Sequence, residues 1–235
     1  MFIDLHTHAL FGMDDGAKDS TVSFAMLESA YAQGVDTVVL SPHCVLRDEG
    51  CIEEFIVKRQ KQYELLLNES TLCNRKIPEL LLGAEVYLDN DISKLEGVER
   101  LCIQGTNIML VELPEGKVSR RLVEWIYKLT LLDIHPLLAH IERYSISKEI
   151  FAEFIDLDID YQINANIFCS LKGRRNLKKI LKTTKRICIS SDMHNNNRCC
   201  NLLDSYNIAS VKFPQIAEDF FKNNPQKLFN DYSKV

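Results

Sequence analysis

Ile3-Asp4-Leu5-His6-Thr7-His8 opens with an apolar residue and then alternates, the pattern of a β-strand, and a period of two puts His6 and His8 on the same side. Two imidazoles pointing one way from one strand end supply a divalent metal with two nitrogen donors before any loop has to fold around it. An isolated His-x-His pair is weak evidence, since most such pairs are polar residues at a strand end. The rest of the chain decides the matter.

Further apolar runs end in the same way. Val35-Asp-Thr-Val-Val-Leu40 leads into Ser41-Pro42-His43, and Leu80-Leu-Leu-Gly-Ala runs into Glu85. Asn107-Ile-Met-Leu-Val ends at Glu112, Pro136-Leu-Leu-Ala at His140, and Tyr161-Gln-Ile at the amide Asn164. Arg186-Ile-Cys-Ile-Ser-Ser reaches Asp192-Met-His194, where the aspartate and histidine share a face. Between these runs lie helical patterns: Asp19-Ser20 to about Gln33 with Gly34 as its stop, Ile52 to Leu67, Val118 to Thr130, Lys148 to Ile155, and a basic stretch over 172–186.

Seven strands alternating with helices predict a parallel α/β sheet of right-handed βαβ units, as an open doubly wound sheet or a closed barrel. An open sheet gathers its site at one switch point, whereas a barrel assembles it from the C-terminal ends of many strands. Every strand here ends in a polar group, and six of the seven end in good metal ligands, so the distribution predicts a barrel.

At 235 residues, with few Gly and Pro and no repeat or linker-like segment, the chain reads as a single domain over 1–235. With 46% hydrophobic and 26% charged residues it can bury a large core. The start lacks a basic, apolar leader and no apolar run has membrane-span length, which predicts a cytoplasmic protein without membrane insertion. Eight cysteines form no C-x-x-C pair, several lie in apolar runs, and a disulfide scaffold is not expected. A net charge of −5 argues against nucleic acid as partner. The local exception is the basic run Lys172, Arg174, Arg175, Lys178, Lys179, Lys182, Lys185 and Arg186, which reads as a solvated helix face or, less often, a dock for an acidic partner or membrane surface.

Five of the six histidines (His6, His8, His43, His140, His194) sit just past an apolar run, and only His135 sits before one. With Asp15, Glu85, Glu112 and Asp192 they make nine nitrogen and oxygen donors. Carboxylates and imidazoles gathered at one barrel mouth need cations to offset their desolvation. Nine donors suit two or three divalent ions, and the absence of thiolates favours Mn²⁺, Fe²⁺, Zn²⁺ or Mg²⁺. Three such ions would carry +6 against −4 from the four carboxylates, and the remaining +2 suits a hydroxide and a phosphate ester.

His6-Thr-His8, the Asp14-Asp15-Gly16 turn, Ser41-Pro-His43, Gly83-Ala-Glu85, Glu112-Leu-Pro, Ala139-His-Ile-Glu-Arg-Tyr144 and Ser191-Asp-Met-His-Asn195 resemble, in order, the motif series of the PHP (polymerase and histidinol phosphatase) family. More narrowly they resemble its CpsB-like branch, the bacterial manganese-dependent protein-tyrosine phosphatases of capsule and exopolysaccharide synthesis. The resemblance runs to about residue 230 and includes Asn224-Pro225 opening a last helix. It implies a distorted seven-stranded TIM-like (β/α)7 barrel, the PHP fold, with three Mn²⁺ ions. By position His6, His8, Glu85 and Asp192 would hold one ion, Glu85, Glu112 and His140 a second, and Asp15, His43 and His194 a third. Family members act on the phosphorylated tyrosine tail of a tyrosine autokinase that controls polysaccharide chain length, and exposed apolar residues would let family-like rings form.

In such a site a water bridging two cations is acidified and attacks phosphorus in line, with no cysteine nucleophile. Arg143, three residues beyond His140, and Arg198, four beyond His194, are placed to fork onto phosphoryl oxygens, so Arg143, Arg198 and Asp192 are the candidate catalytic residues. For Arg143 the structural alternative is a rim salt bridge with Glu142. Arg198 lies one residue earlier than its counterpart in relatives, and Cys44 and a lone Arg47 follow His43 where relatives often carry a second histidine or an arginine pair. Two other functions remain: a small-monoester phosphatase such as one for histidinol phosphate, and a metal-binding regulator without turnover.

Overall fold

The computed structural model describes residues 1–195 and 198–234. In chain order the elements are β1 (Phe2–Thr7), α1 (Ser20–Ala32), β2 (Val35–Leu40), β3 (His43–Val45), α2 (Glu49–Leu72), β4 (Glu79–Leu82), β5 (Glu85–Tyr87) and β6 (Ile108–Glu112). They continue with α3 (Arg120–Thr130), β7 (His135–Leu138), α4 (Lys148–Asp156), β8 (Asp160–Asn164), α5 (Leu171–Ile180) and β9 (Ile187–Ser190). The chain ends with α6 (Leu202–Lys212), α7 (Pro214–Glu218), a π-helical turn (Asp219–Asn223) and α8 (Asn224–Asp231).

All seven expected strands are present, but the second and third are each broken in two. Ser41-Pro42 separates β2 from β3, and Gly83-Ala84 separates β4 from β5. Proline has no N–H to give a ladder, which fits the first break. At the second, a Cβ on residue 83 would lie 2.7 Å from Val39 Cγ1, so the close approach requires glycine. The kinks match each other: Gly83 N–H donates to Leu40 O (2.8 Å) and Glu85 N–H to Pro42 O (3.0 Å), so register survives the bend. Arg59 of α2 donates to the Gly83 carbonyl at 2.6 Å and satisfies the group that the bend exposes.

The pairing is parallel throughout, in the orders β1-β2-β4 and β3-β5-β6-β7-β8-β9. β9 returns beside β1, and that seam carries a bridge between Thr7 and Met193 in place of a full ladder. Asp192 N–H donates to His6 O and His8 N–H to Met193 O, both at 2.9 Å. Below the bridge, side chains stand in for backbone partners: Leu5 N–H donates to Ser190 Oγ (3.2 Å) and Ser191 N–H to Asp4 Oδ1 (2.9 Å). The expected barrel is therefore present in distorted form.

Ile3, Leu5, Val39, Ile108, Leu110, Leu137, Ala139 and Cys188 fill the interior, and Leu228 of α8 packs against them. A larger apolar layer lies between strands and helices. Along β6 the positions after Ile108 and Leu110 in the same parity bring Glu112 to the end of the interior series, where apolar filling gives way to ionisable groups. Asp19 caps α1 by accepting from Val22 N–H, as expected, and Gly34 (φ +76°) ends it. The basic stretch is shorter than expected as a helix: α5 stops at Ile180, leaving Lys182, Lys185 and Arg186 beyond it, and Arg186 turns to Asp158 and Asp160. Among the described residues no helix is long and apolar enough to cross a membrane.

Candidate metal centre

The nine expected donors converge at the C-terminal ends of the strands. His6 and His8 come from β1 and the residue after it, His43 opens β3, Glu85 opens β5 and Glu112 closes β6. His140, Asp192 and His194 follow β7 and β9, and Asp15 lies in the loop after β1. His140 (φ +31°) and Asp192 (φ +52°) both adopt left-handed backbone, a strained conformation for residues with a Cβ that aims both side chains away from their strand directions.

Glu85 lies at the middle. Its Oε2 is 3.2 Å from both His6 Nε2 and His8 Nε2 and 2.9 Å from His43 Nδ1, and its Oε1 is 2.8 Å from His140 Nε2. The two histidine Nε2 atoms are 3.1 Å apart, and each is 3.5 Å from Asp192 Oδ1. Glu112 stands 3.5 Å from His140 and 3.7 Å from His43, while Asp15 Oδ1 is 3.6 Å from both His43 and His194. Donors held at about 2.1 Å from one cation lie about 3.0–3.4 Å from each other, so much of this spacing is that of coordination edges. Among the described residues three groups have donor atoms within 4.8 Å of one another: His6, His8 and Asp192; His43, Glu85 and Glu112; and His8, Asp15, His43 and His194. His43 is drawn into the second group, and His8 into the third. At the floor His6, His8 and Glu85 are fully buried, whereas the Asp15 side chain is 68% exposed at the rim.

Hydrogen bonds outside the cluster decide which nitrogens face it. His8 Nδ1–H donates to Asp14 Oδ2 at 2.7 Å, and His6 Nδ1–H to Gln162 Oε1 at 3.2 Å. Both Nε2 lone pairs therefore face each other and two carboxylates, an arrangement that repels itself unless a cation lies between. The buried Glu85 Oε2 accepts no hydrogen bond of good geometry, so it too is left for a cation. Gln162 is oriented in turn: its Oε1 also accepts His140 N–H (2.6 Å), and its amide donates to Asn164 Oδ1 (2.8 Å). Asn164 donates onward to Asp192 Oδ2 at 2.7 Å. The Asp192 carboxylate thus sets the Asn164 and Gln162 amides and, through them, the tautomer of His6.

The electrostatics show the same demand for positive charge. Burial alone would raise the Glu85 carboxyl, but His6, His140 and His43 hold it well below its ordinary value. Asp192 is likewise held far down against burial, by His6, His8 and Arg143. Burial opposes protonation of His140, yet hydrogen bonds to Glu112 and Glu85 lift it to about 9, and His8 rises against burial through Asp14, Asp192 and Glu85. Without metal, protons do what cations would do.

Arg143 and Arg198 both reach Asp192 Oδ2, at 2.5 and 2.8 Å, from half-exposed positions above it. The Glu142–Arg143 salt bridge weighed as the alternative does not form; Glu142 turns inward and accepts from Asn164 N–H at 3.2 Å. Four supporting residues escaped the reading of the sequence: Asp14, Gln162, Asn164 as a donor to Asp192, and Tyr144, whose hydroxyl is 3.2 Å from His140 Nδ1. For Gln162 and Asn164 a signal existed, since both fall at positions of one parity on a strand whose neighbours end in ligands. His135, which sits before its apolar run and not after it, lies at the other end of the barrel, 2.8 Å from Asp160 and stacked on Tyr232.

A family model for capsular polysaccharide synthesis, CpsB/CapC, matches residues 2–230. The chain belongs to the CpsB/CapC family. Within that family it is 29% identical to the tyrosine-protein phosphatase CpsB of Streptococcus pneumoniae, over 97% of this chain and 98% of that protein. It is 27% identical to the tyrosine-protein phosphatase YwqE of Bacillus subtilis, over 82% of this chain and 77% of that protein. The fold matches a chain from the crystal structures of Bacillus subtilis YwqE and Streptococcus pneumoniae CpsB, described as metal-dependent tyrosine phosphatases, with a TM-score of 0.73, 22% identity and 94% of both chains covered. A more distant match, a phosphotriesterase homology protein from Escherichia coli with phosphate in its active site, has a TM-score of 0.52 and 12% identity over 96% of this chain and 97% of that chain.

Proposed function

We propose that this chain is a metal-dependent protein-tyrosine phosphatase, acting as one domain in the cytoplasm on the phosphorylated tyrosine tail of an autokinase that regulates capsular or exopolysaccharide synthesis. The observation that carries this reading is the buried meeting of two bare histidine Nε2 atoms with Glu85 and Asp192 in a CpsB/CapC chain. The donors fit three divalent ions, Mn²⁺ first among them: His6, His8, Glu85 and Asp192 for one; Glu85, Glu112 and His140, with His43 beside them, for the second; Asp15, His43 and His194 for the third. Bound there, the ions would acidify a water and neutralise charge on the phosphoryl group.

The chain's own residues supply the rest. Asp192 anchors Arg143 and Arg198 through Oδ2, which leaves their other guanidinium N–H groups to fork onto phosphoryl oxygens as charge develops. A phenolate leaving group, with a pKa of about 10, departs with modest help, which suits aryl esters. Cys44, the thiol that follows His43, is no candidate nucleophile, because it is buried and burial pushes it up to about 12, which keeps it protonated.

The test is phosphate release from p-nitrophenyl phosphate, a phosphotyrosine peptide and histidinol phosphate, with Mn²⁺ and then with chelator, beside His6→Ala. Manganese-dependent turnover of the first two, abolished by the substitution, is expected. Turnover of histidinol phosphate alone would move the assignment to a small monoester, and metal-loaded, folded protein inert toward all three would leave a regulator.

A further inference from the structure

The three-residue turn Ile141–Arg143 faces two ways. Arg143 reaches Asp192 in the metal centre, while Glu142, its neighbour, lines a cleft of about 680 Å³ whose other wall is the start of α5. Asn176 of α5 ties the two together by donating to the Glu142 carbonyl at 3.2 Å. The cleft is lined by Lys172, Arg175 and Lys179, with Asn166, Ser170 and Asn176 between them. The spacing of 172, 175 and 179 sets the three cations on one helix face, spread over about 10 Å at a rise of about 1.5 Å per residue.

The other basic residues of α5 have work within the fold: Arg174 donates to Phe168 O at 2.5 Å, and Lys178 lies over the Phe213 ring. Lys172, Arg175 and Lys179 form no ion pair among the described residues. Glu142, the one acid in the lining, turns its Oε1 to Asn164 N–H on the barrel side. The three are exposed, so water screens much of their mutual repulsion, but on a chain of net charge −5 they form a local anion-attracting field. An extended peptide advances about 3.3 Å per residue, so two or three residues span the cations.

Resting on the phosphatase reading, we propose that this cleft binds a second anionic group of the same peptide, a further phosphotyrosine or an acidic side chain, while the first phosphotyrosine occupies the metal centre. The site then selects multiply phosphorylated or acidic segments over isolated phosphotyrosines, and drives successive removal of phosphates along one segment.

The test compares Lys172→Ser/Arg175→Ser/Lys179→Ser with the parent protein, Mn²⁺-loaded, on singly and doubly phosphorylated peptides of one neutral sequence, with phosphotyrosines two to six residues apart. The parent is expected to favour a doubly phosphorylated peptide about tenfold in kcat/KM, with a preference that falls as salt rises. The triple variant should lose that preference and its salt dependence while still turning over p-nitrophenyl phosphate, which has no second anionic group for the cleft to hold and so also reports an intact fold. An unchanged preference in the variant overturns the proposal. So does a variant that keeps the preference but no longer sediments with phosphatidylglycerol vesicles, which would make α5 a membrane-facing surface. If the parent hydrolyses no phosphotyrosine, the phosphatase reading falls separately, and anisotropy of labelled doubly phosphorylated peptide on His6→Ala, with and without the triple substitution, still decides the cleft: equal affinity sinks it.

Discussion

Asp14 Oδ2 lies 2.7 Å from His8 Nδ1, and the same oxygen takes the backbone N–H of His43 at 2.8 Å. One carboxylate thus sets the tautomer of one histidine and the entry of the strand that carries another, while its Oδ1 holds Gly16 N–H. Asp14→Asn keeps the shape but weakens acceptance from three donors. Metal affinity should fall about ten- to a hundredfold, with activity restored at high Mn²⁺. Manganese titration of activity checks this, and an unaltered midpoint would mean that Asp14 only shapes the loop.

Gly16 is pressed against His8: a Cβ there would lie 2.2 Å from the His8 carbonyl oxygen and 2.5 Å from His8 Cβ. Both contacts are with rigid atoms, so the loop carrying Asp14 and Asp15 must move. Gly16→Ala is expected to cost about 1–3 kcal/mol of stability and most of the metal binding. Denaturant melts and metal content after dialysis report the two effects separately.

The relay that joins Asp192 through Asn164 and Gln162 to His6 has a direction: every N–H points toward Asp192, two from the Asn164 and Gln162 amides and the last from the His6 imidazole Nδ1. Asn164→Asp sets carboxylate against carboxylate at its first link and removes the donor. It should depress activity more than Asn164→Ser, although serine is the greater change in size. The opposite ranking in kcat/KM would show that packing, and not the relay, matters at this position.

Arg143 and Arg198 share Asp192 Oδ2 but hold it through single contacts. Lysine at either position keeps charge and loses the planar fork. Arg143→Lys should lower kcat about tenfold or more with manganese content unchanged, and equal kcat in the two proteins would remove Arg143 from the chemistry.

Proton balance gives a test of the metals themselves. Against the effect of burial, carboxylate partners lift His8 and His43 above their ordinary value and His140 to about 9, so at pH 7 the metal-free site holds protons that bound cations must expel. Adding Mn²⁺ to metal-free protein in weak buffer should acidify the solution, and apparent affinity should weaken as pH falls from 9 toward 6. Loading without proton release would contradict this electrostatic picture.

Strand positions and the donor set were legible in the sequence because both are local: a period of two, an apolar run, and an ionisable residue at its end are properties of neighbours in the chain. The family resemblance supplied the grouping of ligands. What only the tertiary structure decided involves residues far apart in sequence. The breaks at Ser41-Pro42 and Gly83-Ala84 kink two paired strands together, a match that neither sequence shows alone. Arg143 pairs with Asp192, 49 residues away, and not with adjacent Glu142, because the left-handed turn at His140 carries it to the barrel mouth. Gln162 looks like an ordinary strand residue until folding brings it 3.2 Å from His6. Sequence pattern determines which faces are buried and which ends are charged; only closure of the barrel decides which buried polar group meets which, because each must find its partner in space or remain unpaired at a cost.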